Sequence, residues 1–297
     1  MDLMHRSSMK IALVTDRERP DLTPDDRLLL PALRKRGVDV SAEPWDSKTA
    51  DWGGFDLCIL RSCWDYHLRV SEFLRWLEHL EKQNVGTMNP IPTVRWNYDK
   101  RYLKDLEKQG IPIVPTFIPN GEDSVTLKGI MSAQGWDDVV LKPRVSAGAY
   151  RTHRVGWNDV DAFEQEFHTI TRESGVLVQT FVPEIQSAGE WSFLFFDREF
   201  SHAVLKMPVE GEYRSQELYG GSSLSAIPSP MQVQQAARVI EAVPDDLLFA
   251  RVDMIEVDGR MLLGELEVIE PSLFFMCDPD SPHRFVEKLI RYLQDKT

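Results

Sequence analysis

The stretch 248-LFARVDMIEVDGRMLLGELEVIEPSLFF-275 sets three acids, Asp253, Glu265 and Glu267, inside runs that otherwise read as buried strand. Carboxylates rarely enter such surroundings without a neutralising partner. Asp258-Gly259 is a turn signal, so the two runs read as a hairpin. Its loop length decides which side chains share a face. With a three-residue loop of Val257, Asp258 and Gly259, Glu256 pairs with Arg260 and residues of equal parity lie together. One face is then Ala250, Val252, Met254, Leu262, Gly264, Leu266 and Val268, almost wholly apolar, and the other carries the three acids. A two-residue Asp-Gly loop would separate Asp253 from the glutamates, because a slip of one residue flips every side chain. The pattern therefore predicts the odd-length loop. Three carboxylates in one layer repel each other unless cations intervene, and an all-oxygen donor set suits a hard divalent ion such as magnesium. The competing reading is a solvated face whose charges pair with Arg251, Arg260 or other side chains.

Length and composition set the frame around this hairpin. The 297 residues suffice for two or three domains with sizeable cores, and 42% hydrophobic with 27% charged residues is the composition of a soluble globular chain. A formal net charge of −13 argues against non-specific binding to nucleic acid or to an anionic membrane. It leaves room for a small anionic ligand in a locally basic cleft. No run approaches the roughly 18 apolar residues of a membrane span. The opening MDLMHRSS lacks the apolar core of a signal peptide and reads as a tag remnant or an upstream start. Cys58, Cys63 and Cys277 are scattered without metal-ligand spacing, which predicts a reducing cytoplasm.

Along the chain, MKIALVT (9–15), VDVSAEPW and FDLCILRS (55–62) read as strands, with helices over 26–36 and about 71–83. This is a small open α/β domain, bounded near residue 95 by the prolines of NPIPTVRW. Beyond it the sequence predicts a helix in NYDKRYLKDLEKQG, then strands IPIVPTFI and DDVVLKP (137–143) and a loop RVSAGAYRTHRV. A helix over 159–174 and a strand GVLVQTFVP (175–183) come next. WSFLFFD and FSHAVLKMP read as an antiparallel pair, GGSSLSAIPSP as a loop, 230–243 and 283–295 as helices. Strands without strict βαβ alternation make this half α+β.

The cations follow in a telling order. Lys100 opens a helix after a turn. Lys142 ends the strand VVLKP ahead of Ser146, Ala147 and Gly148, small residues that let backbone N–H groups approach an anion. Lys206 and Arg214 flank VEGEY. The familiar phosphate signatures G-x-x-x-x-G-K-[ST] and G-x-G-x-x-G after a strand are absent, as are H-E-x-x-H and G-x-S-x-G.

This ordered set resembles the ATP-grasp superfamily of carboxylate–amine ligases, particularly its glutathione synthetase-like branch. DK at 99–100 and VVLKP at 139–143 match its two nucleotide lysines, LVQTFVPEI its adenine hinge and AGEWSFLFF its ribose acid. LKMPVEGEYRSQELYGG resembles its phosphate- and substrate-binding stretch, and Asp253 with ELEVIEPS its metal-binding Asp and E-x-N. Within the superfamily, RSCWDY and NPIPTVRWNYDKRYL look most like the O-ureido-serine cyclo-ligases of cycloserine biosynthesis. The resemblance implies a two-lobed ATP-grasp domain, with divisions at 1–95, 96–182 and 183–297. It implies ATP and two Mg²⁺ held by Asp253, Glu265 and Glu267. Lys100, Lys142 and the Ser146–Gly148 loop would hold phosphates, Gln179, Thr180, Phe181 and Val182 adenine, and Glu184 or Glu190 ribose. Lys206 and Arg214 would act at the reacting phosphate, and Arg61, Gln216, Glu270 and Ser272 on the substrate. Two departures stand out. Glu267 occupies the usual Asn position, and Ser192 an arginine position of glutathione synthetases. The implied activity is ATP-dependent joining of a small amino-acid-like carboxylate to an amine by a monomer or homodimer. The alternatives are a nucleotide-binding regulatory protein without turnover and a non-enzymatic scaffold.

Overall fold

The computed structural model describes residues 9–120, 125–209, 211–215 and 220–295. Three sheets organise these residues. The first is parallel, in the order β2 (Asp39–Pro44), β1 (Lys10–Thr15), β3 (Leu57–Ser62) and β4 (Gly86–Met88). α1 (Leu29–Lys35) and α2 (Val70–Lys82) connect its strands. Cys58 and Leu60 of β3 pack on α2 with Trp45, Trp52 and Trp76, while Leu57 and Ile59 face Leu29 and Leu33 of α1. Burial on both faces explains why these strands are continuous apolar runs.

The second sheet is antiparallel, in the order β5 (Thr116–Phe117), β8 (Val176–Thr180), β6 (Asp138–Pro143) and β7 (His153–Gly156). α3 (Ile91–Asn97) and α4 (Tyr102–Lys108) lead into it, and α5 (Leu127–Gln134) and α6 (Val160–Ser174) cover it. Two expectations change here. The strand predicted over IPIVPTFI shrinks to Thr116–Phe117, because Pro112 and Pro115 lack the N–H groups a ladder needs. The loop RVSAGAYRTHRV yields its last residues to β7, with Val155 buried opposite Val139.

The third sheet, also antiparallel, runs β11 (Ser222–Ala226), β10 (Glu199–Met207), β9 (Glu190–Phe196), β12 (Phe249–Val257) and β13 (Arg260–Glu267). A short α7 (Glu184–Ser187) precedes it. The predicted pair of WSFLFFD and FSHAVLKMP is β9–β10. The Gly/Ser-rich stretch is a strand in part, since β11 pairs along β10 from Met207 to Ala203. α8 (Pro230–Glu241) starts from a capping box of Ser229 and Gln232 and packs Ala236, Val239 and Ile240 under this sheet. α9 (Ser281–Asp295) returns to the first sheet, where Phe285 and Leu289 join the core of Ile11 and Leu33. The chain thus combines a small open α/β unit with two antiparallel sheets, as the sequence predicts. Among the described residues no helix is long and apolar enough to cross a membrane.

The β12–β13 hairpin corrects its predicted register. Val257 pairs with Arg260, so the loop is the two-residue Asp258-Gly259, both at positive φ, as a tight hairpin turn requires. Near the turn Ile255 pairs with Leu262 and Met254 with Leu263, but beyond it Asp253 pairs with Glu265 and Arg251 with Glu267. Gly264 is the extra residue of a β-bulge, and the bulge restores the parity that the short loop removes. Met261 and Leu263 near the turn, and Leu266 and Val268 beyond it, all reach one core, while the acids stay together on the opposite face. The outer edge of β13 is closed by the preceding segments rather than by a further strand. Leu263 exchanges backbone hydrogen bonds with Pro112 and Val114, Leu266 N–H donates to the Tyr102 hydroxyl at 2.9 Å, and Asn97 donates to the Leu266 carbonyl at 2.8 Å.

Candidate active site

The strand registers line up the polar side chains. Ser192 of β9, Asp253 of β12 and Glu265 of β13 are successive cross-strand partners, and Glu190 lies opposite Lys206. Glu190, Lys206 and Glu265 face a cleft of about 930 Å³ between the three sheets, with Ser192 and Asp253 beneath its surface. That volume is at the upper end for small-molecule sites and accommodates a nucleotide with a second small ligand.

Each of the three acids already has a cation. Glu265 pairs with Lys100 at 3.0 Å, and Glu267 with Arg251 at 2.5 Å. Asp253 meets Arg251 at 3.0 Å and Lys206 at 3.3 Å and accepts from the Ser192 hydroxyl at 2.6 Å. Side-chain partners therefore neutralise these acids in the protein alone, whereas the sequence reading left that task to metal-bound nucleotide. Lys206 also binds Glu190 at 2.7 Å, which accepts from Ser215 Oγ at 2.7 Å.

The ionisation of these groups follows from burial and charge. Burial pushes the Asp253 carboxyl up, but Arg251 and Lys206 outweigh it and hold it at about 2. Glu265 is likewise lowered, Lys100 and Lys142 overcoming its burial. Burial draws Lys206 down, yet Asp253 and Glu190 bring it above the usual lysine range. Glu267 goes the other way. Although 28% of its side chain meets the open cleft, the dense surroundings, together with repulsion from Glu265 and Asp253, raise it to about 7 despite Arg251. Lys142 is lowered by burial, with Glu265 opposing. No ion pair from a described residue reaches its ammonium, and among the cleft lysines that is a distinguishing feature.

The position of Glu267 carries a testable consequence for the protein without metal or nucleotide. A carboxyl whose folded pKa lies above its unfolded value binds extra protons in the native state, so its contribution declines as pH rises between the two values, here about 4.5 to about 7. Glu267→Gln should match wild type near pH 5 and exceed it at higher pH, by up to about 3 kcal/mol. Denaturant unfolding of both proteins across that range measures the difference. A gap that does not change with pH would contradict the assignment.

Lys100, Lys142, Ser146, Ala147, Gly148, Gln179, Thr180, Phe181, Val182, Glu190, Lys206, Arg214, Glu265, Glu267, Glu270 and Ser272 all line the cleft. Lys100 donates to the Ser146 carbonyl at 2.7 Å, tying the small-residue loop to α4's approach. At the expected hinge, Thr180 and Phe181 commit their N–H groups to the carbonyls of Pro115 and Asp138. Arg214 is held by Glu212 at 2.6 Å. Gln216 lies outside the described residues. Asp253 sits 3% exposed beneath the cleft surface, reaching it through Lys206 and Arg251.

Two candidates are displaced. Glu184 opens α7 and does not line the cleft. Arg61 is fully buried, binding Asp26 at 2.8 Å and the Pro271 carbonyl at 2.7 Å, so it joins the first sheet to the segment after β13 rather than meeting a substrate. The strand end that suggested exposure is covered by this segment. Removing one member of a buried pair leaves a bare charge, so Asp26→Ala should cost about 3–5 kcal/mol in denaturant unfolding. A loss under 1 kcal/mol would speak against a structural pair.

Arg251 was legible in the sequence only as a partner on a solvated face. It lines the cleft and bridges Asp253 and Glu267, and the surrounding carboxylates raise its pKa further although burial opposes them. The signal available was the spacing R-x-D, which puts both side chains on one strand face. The first sheet contributes Arg19, Trp64, Tyr66 and His67, with Arg19 stacked on Trp64 at 4.8 Å. The His67 ring contacts Tyr150 beyond the small-residue loop at 5.3 Å.

Residues 11–89 match the family model of the N-terminal domain of D-cycloserine synthetase DcsG. Over 305 aligned residues the chain is 28% identical to the cycloserine biosynthesis protein DcsG of Streptomyces lavendulae, covering 96% of this chain and 99% of that one. The crystal structure of D-cycloserine synthetase DcsG superposes with a TM-score of 0.87 at 27% identity, across 96% of this chain and 99% of that one. The chain has the ATP-grasp fold. This ATP-grasp protein is also 27% identical over 258 residues to glutathione synthetase of Rhodopseudomonas palustris, covering 81% of this chain and 78% of that one. The D-alanine–D-alanine ligase of Bacillus anthracis complexed with ATP shares the fold, with a TM-score of 0.69 at 14% identity over 98% of this chain and 100% of that one. These likenesses give the regulatory alternative no support.

Proposed function

We infer that this ligase activates the carboxylate of a small amino-acid-like molecule with ATP and couples it to an amine, with substrates close to those of cycloserine formation. The observation that carries the reading is the charge layout of the cleft. An unpaired lysine, Lys142, and the small-residue loop face a bank of acids suited to a hard cation. The whole-length likeness to a cycloserine biosynthesis protein supports the substrate class.

The donor set fits magnesium. Asp253, Glu265 and Glu267 offer only oxygen, and Glu267, raised by burial and by its neighbouring carboxylates, is an acid that a bound cation would favour in its charged form. Among the described residues no three such groups are gathered as a ready cage, since Arg251 and Lys206 bridge them. These three residues would hold two Mg²⁺, which when bound neutralise the nucleotide's β- and γ-phosphates. Lys100 and Lys142 hold the same phosphates from the side of the second sheet. The Val182 N–H donates to an adenine nitrogen, with Gln179 alongside, and Glu190 takes the ribose. Arg251, Lys206 and Arg214 stabilise the charge that builds as a carboxylate oxygen attacks the γ-phosphorus and the bond to ADP breaks. Amine nitrogen then attacks the acyl carbon and phosphate leaves with the bonding pair. The loop at 146–148 keeps water from the acylphosphate. In this division residues 1–95 supply the substrate side, 96–182 and 183–297 the two walls around ATP.

Release of ADP, screened over carboxylate–amine pairs that include O-ureido-serine and followed by mass spectrometry of the products, tests the reading. Coupled ADP and product formation with an amino-acid-like acid is expected. ADP release that never depends on an added acid would overturn it.

A further inference from the structure

Pairing off the charges of the cleft leaves one anion over. Asp253, Glu265, Glu267 and Glu190 each contact a lysine or arginine within 3.3 Å. Glu270 contacts none: among the described residues no hydrogen bond or ion pair reaches its side chain. It nevertheless lines the cleft at 8% exposure, so the residue is more than nine-tenths buried and borders the cavity. A carboxylate left in such a position is costly unless something charged meets it there.

Its placement is firm. The Trp64 indole donates to the Glu270 backbone carbonyl at 3.0 Å, and Arg61 donates to that of Pro271 at 2.7 Å. Both grips come from the first sheet. Glu270 therefore sits where that sheet meets the end of β13, beside Tyr66 and Cys63, three residues beyond the acids that face the phosphates. Lys142 and Glu270 line the same cavity, the one a cation and the other an acid that no described side chain of opposite charge meets.

We propose that Glu270 is the anchor for the ammonium group of the amino-acid-like substrate, fixing the molecule so that its carboxylate points at the phosphates. This rests on the ligase reading and adds the group by which the site tells an amino acid from a simple carboxylic acid. Burial raises the Glu270 carboxyl well above its usual range, and a bound ammonium would favour its charged form. The ammonium replaces the partner that the fold omits, and an acid lacking the amine leaves Glu270 buried and unpaired. That penalty, rather than attraction alone, supplies the selectivity.

The test uses the full-length protein with Mg-ATP, free D- and L-serine and O-ureido-serine as probes, and their N-acetyl derivatives as amine-blocked controls. Wild type should favour the free amine, and Glu270→Gln should raise KM for it about 10- to 100-fold and bring the preference for free over N-acetylated probe close to unity. KM for ATP should not move. Glu270→Gln should also melt at the same or higher temperature without ligand, since it removes an acid whose ionisation burial opposes; a marked drop would reveal a structural partner and overturn the proposal. Retained discrimination in the variant, or a parallel rise in KM for ATP, would overturn it equally. Thermal shift by the free amino acids keeps the test separate from turnover. If wild type is stabilised by them and Glu270→Gln is not, the anchor stands even if none is turned over, and only the ligase substrate assignment fails. If wild type responds to no free amine, the anchor fails.

Discussion

Replacing Lys142 with alanine should lower ADP formation by about 10²–10³-fold while leaving the fold intact or more stable. The two parts of this result come from the same geometry. Lys142 closes β6 with its ammonium in the cleft, and no described residue pairs with it. Burial disfavours its charged form, so the empty protein gains nothing from the charge and loses nothing when it goes. A lysine kept at such a position has its partner elsewhere, and the γ-phosphate is the partner the site implies. Measurement of kcat beside thermal unfolding separates this from trivial misfolding. An inactive variant that is also unstable would not support the assignment, and an active one would refute it.

Asp253→Asn should behave differently, losing both activity and stability. Its carboxylate is the hub of the polar layer, touching Arg251, Lys206 and Ser192. A folded pKa of about 2 against an ordinary 3.8 means that its contribution is fully present above the ordinary value and is lost as pH falls through about 2. Near neutral pH that contribution is about 2 kcal/mol. The amide should cost about that much in denaturant unfolding. ADP formation should fall by at least about 10²-fold, since the proposed metal ligand and the anchor of Arg251 and Lys206 go together. Excess magnesium should not restore it. Full activity with unchanged stability would place the chemistry elsewhere.

How far the sequence foretold this molecule is best seen in the hairpin. The alternation of grease and acid was enough to place Asp253, Glu265 and Glu267 on one face, and they lie there. The route was wrong: the loop has two residues, and a bulge at Gly264 restores the parity. Turn residues and periodicity fix faces well, but a bulge is a one-residue event whose only trace is a glycine within a strand. The cleft lysines were legible because each ends or precedes a regular element. Arg61 was not, since its burial depends on Asp26 and Pro271, one of them more than two hundred positions away. The partners of the acids were misjudged for a related reason. Arg251 was visible two residues before Asp253, but that its guanidinium bridges to Glu267 depends on cross-strand register.

The central claim is that a substrate carboxylate attacks the γ-phosphorus of ATP in this cleft. Its most direct test follows the carboxylate oxygen, by supplying the acid substrate with heavy oxygen in its carboxyl group and analysing the released phosphate by mass spectrometry. The acylphosphate route predicts that one labelled oxygen passes to inorganic phosphate for each ADP formed, and that Lys142→Ala suppresses both together. Phosphate that carries no label while ADP accumulates would contradict it.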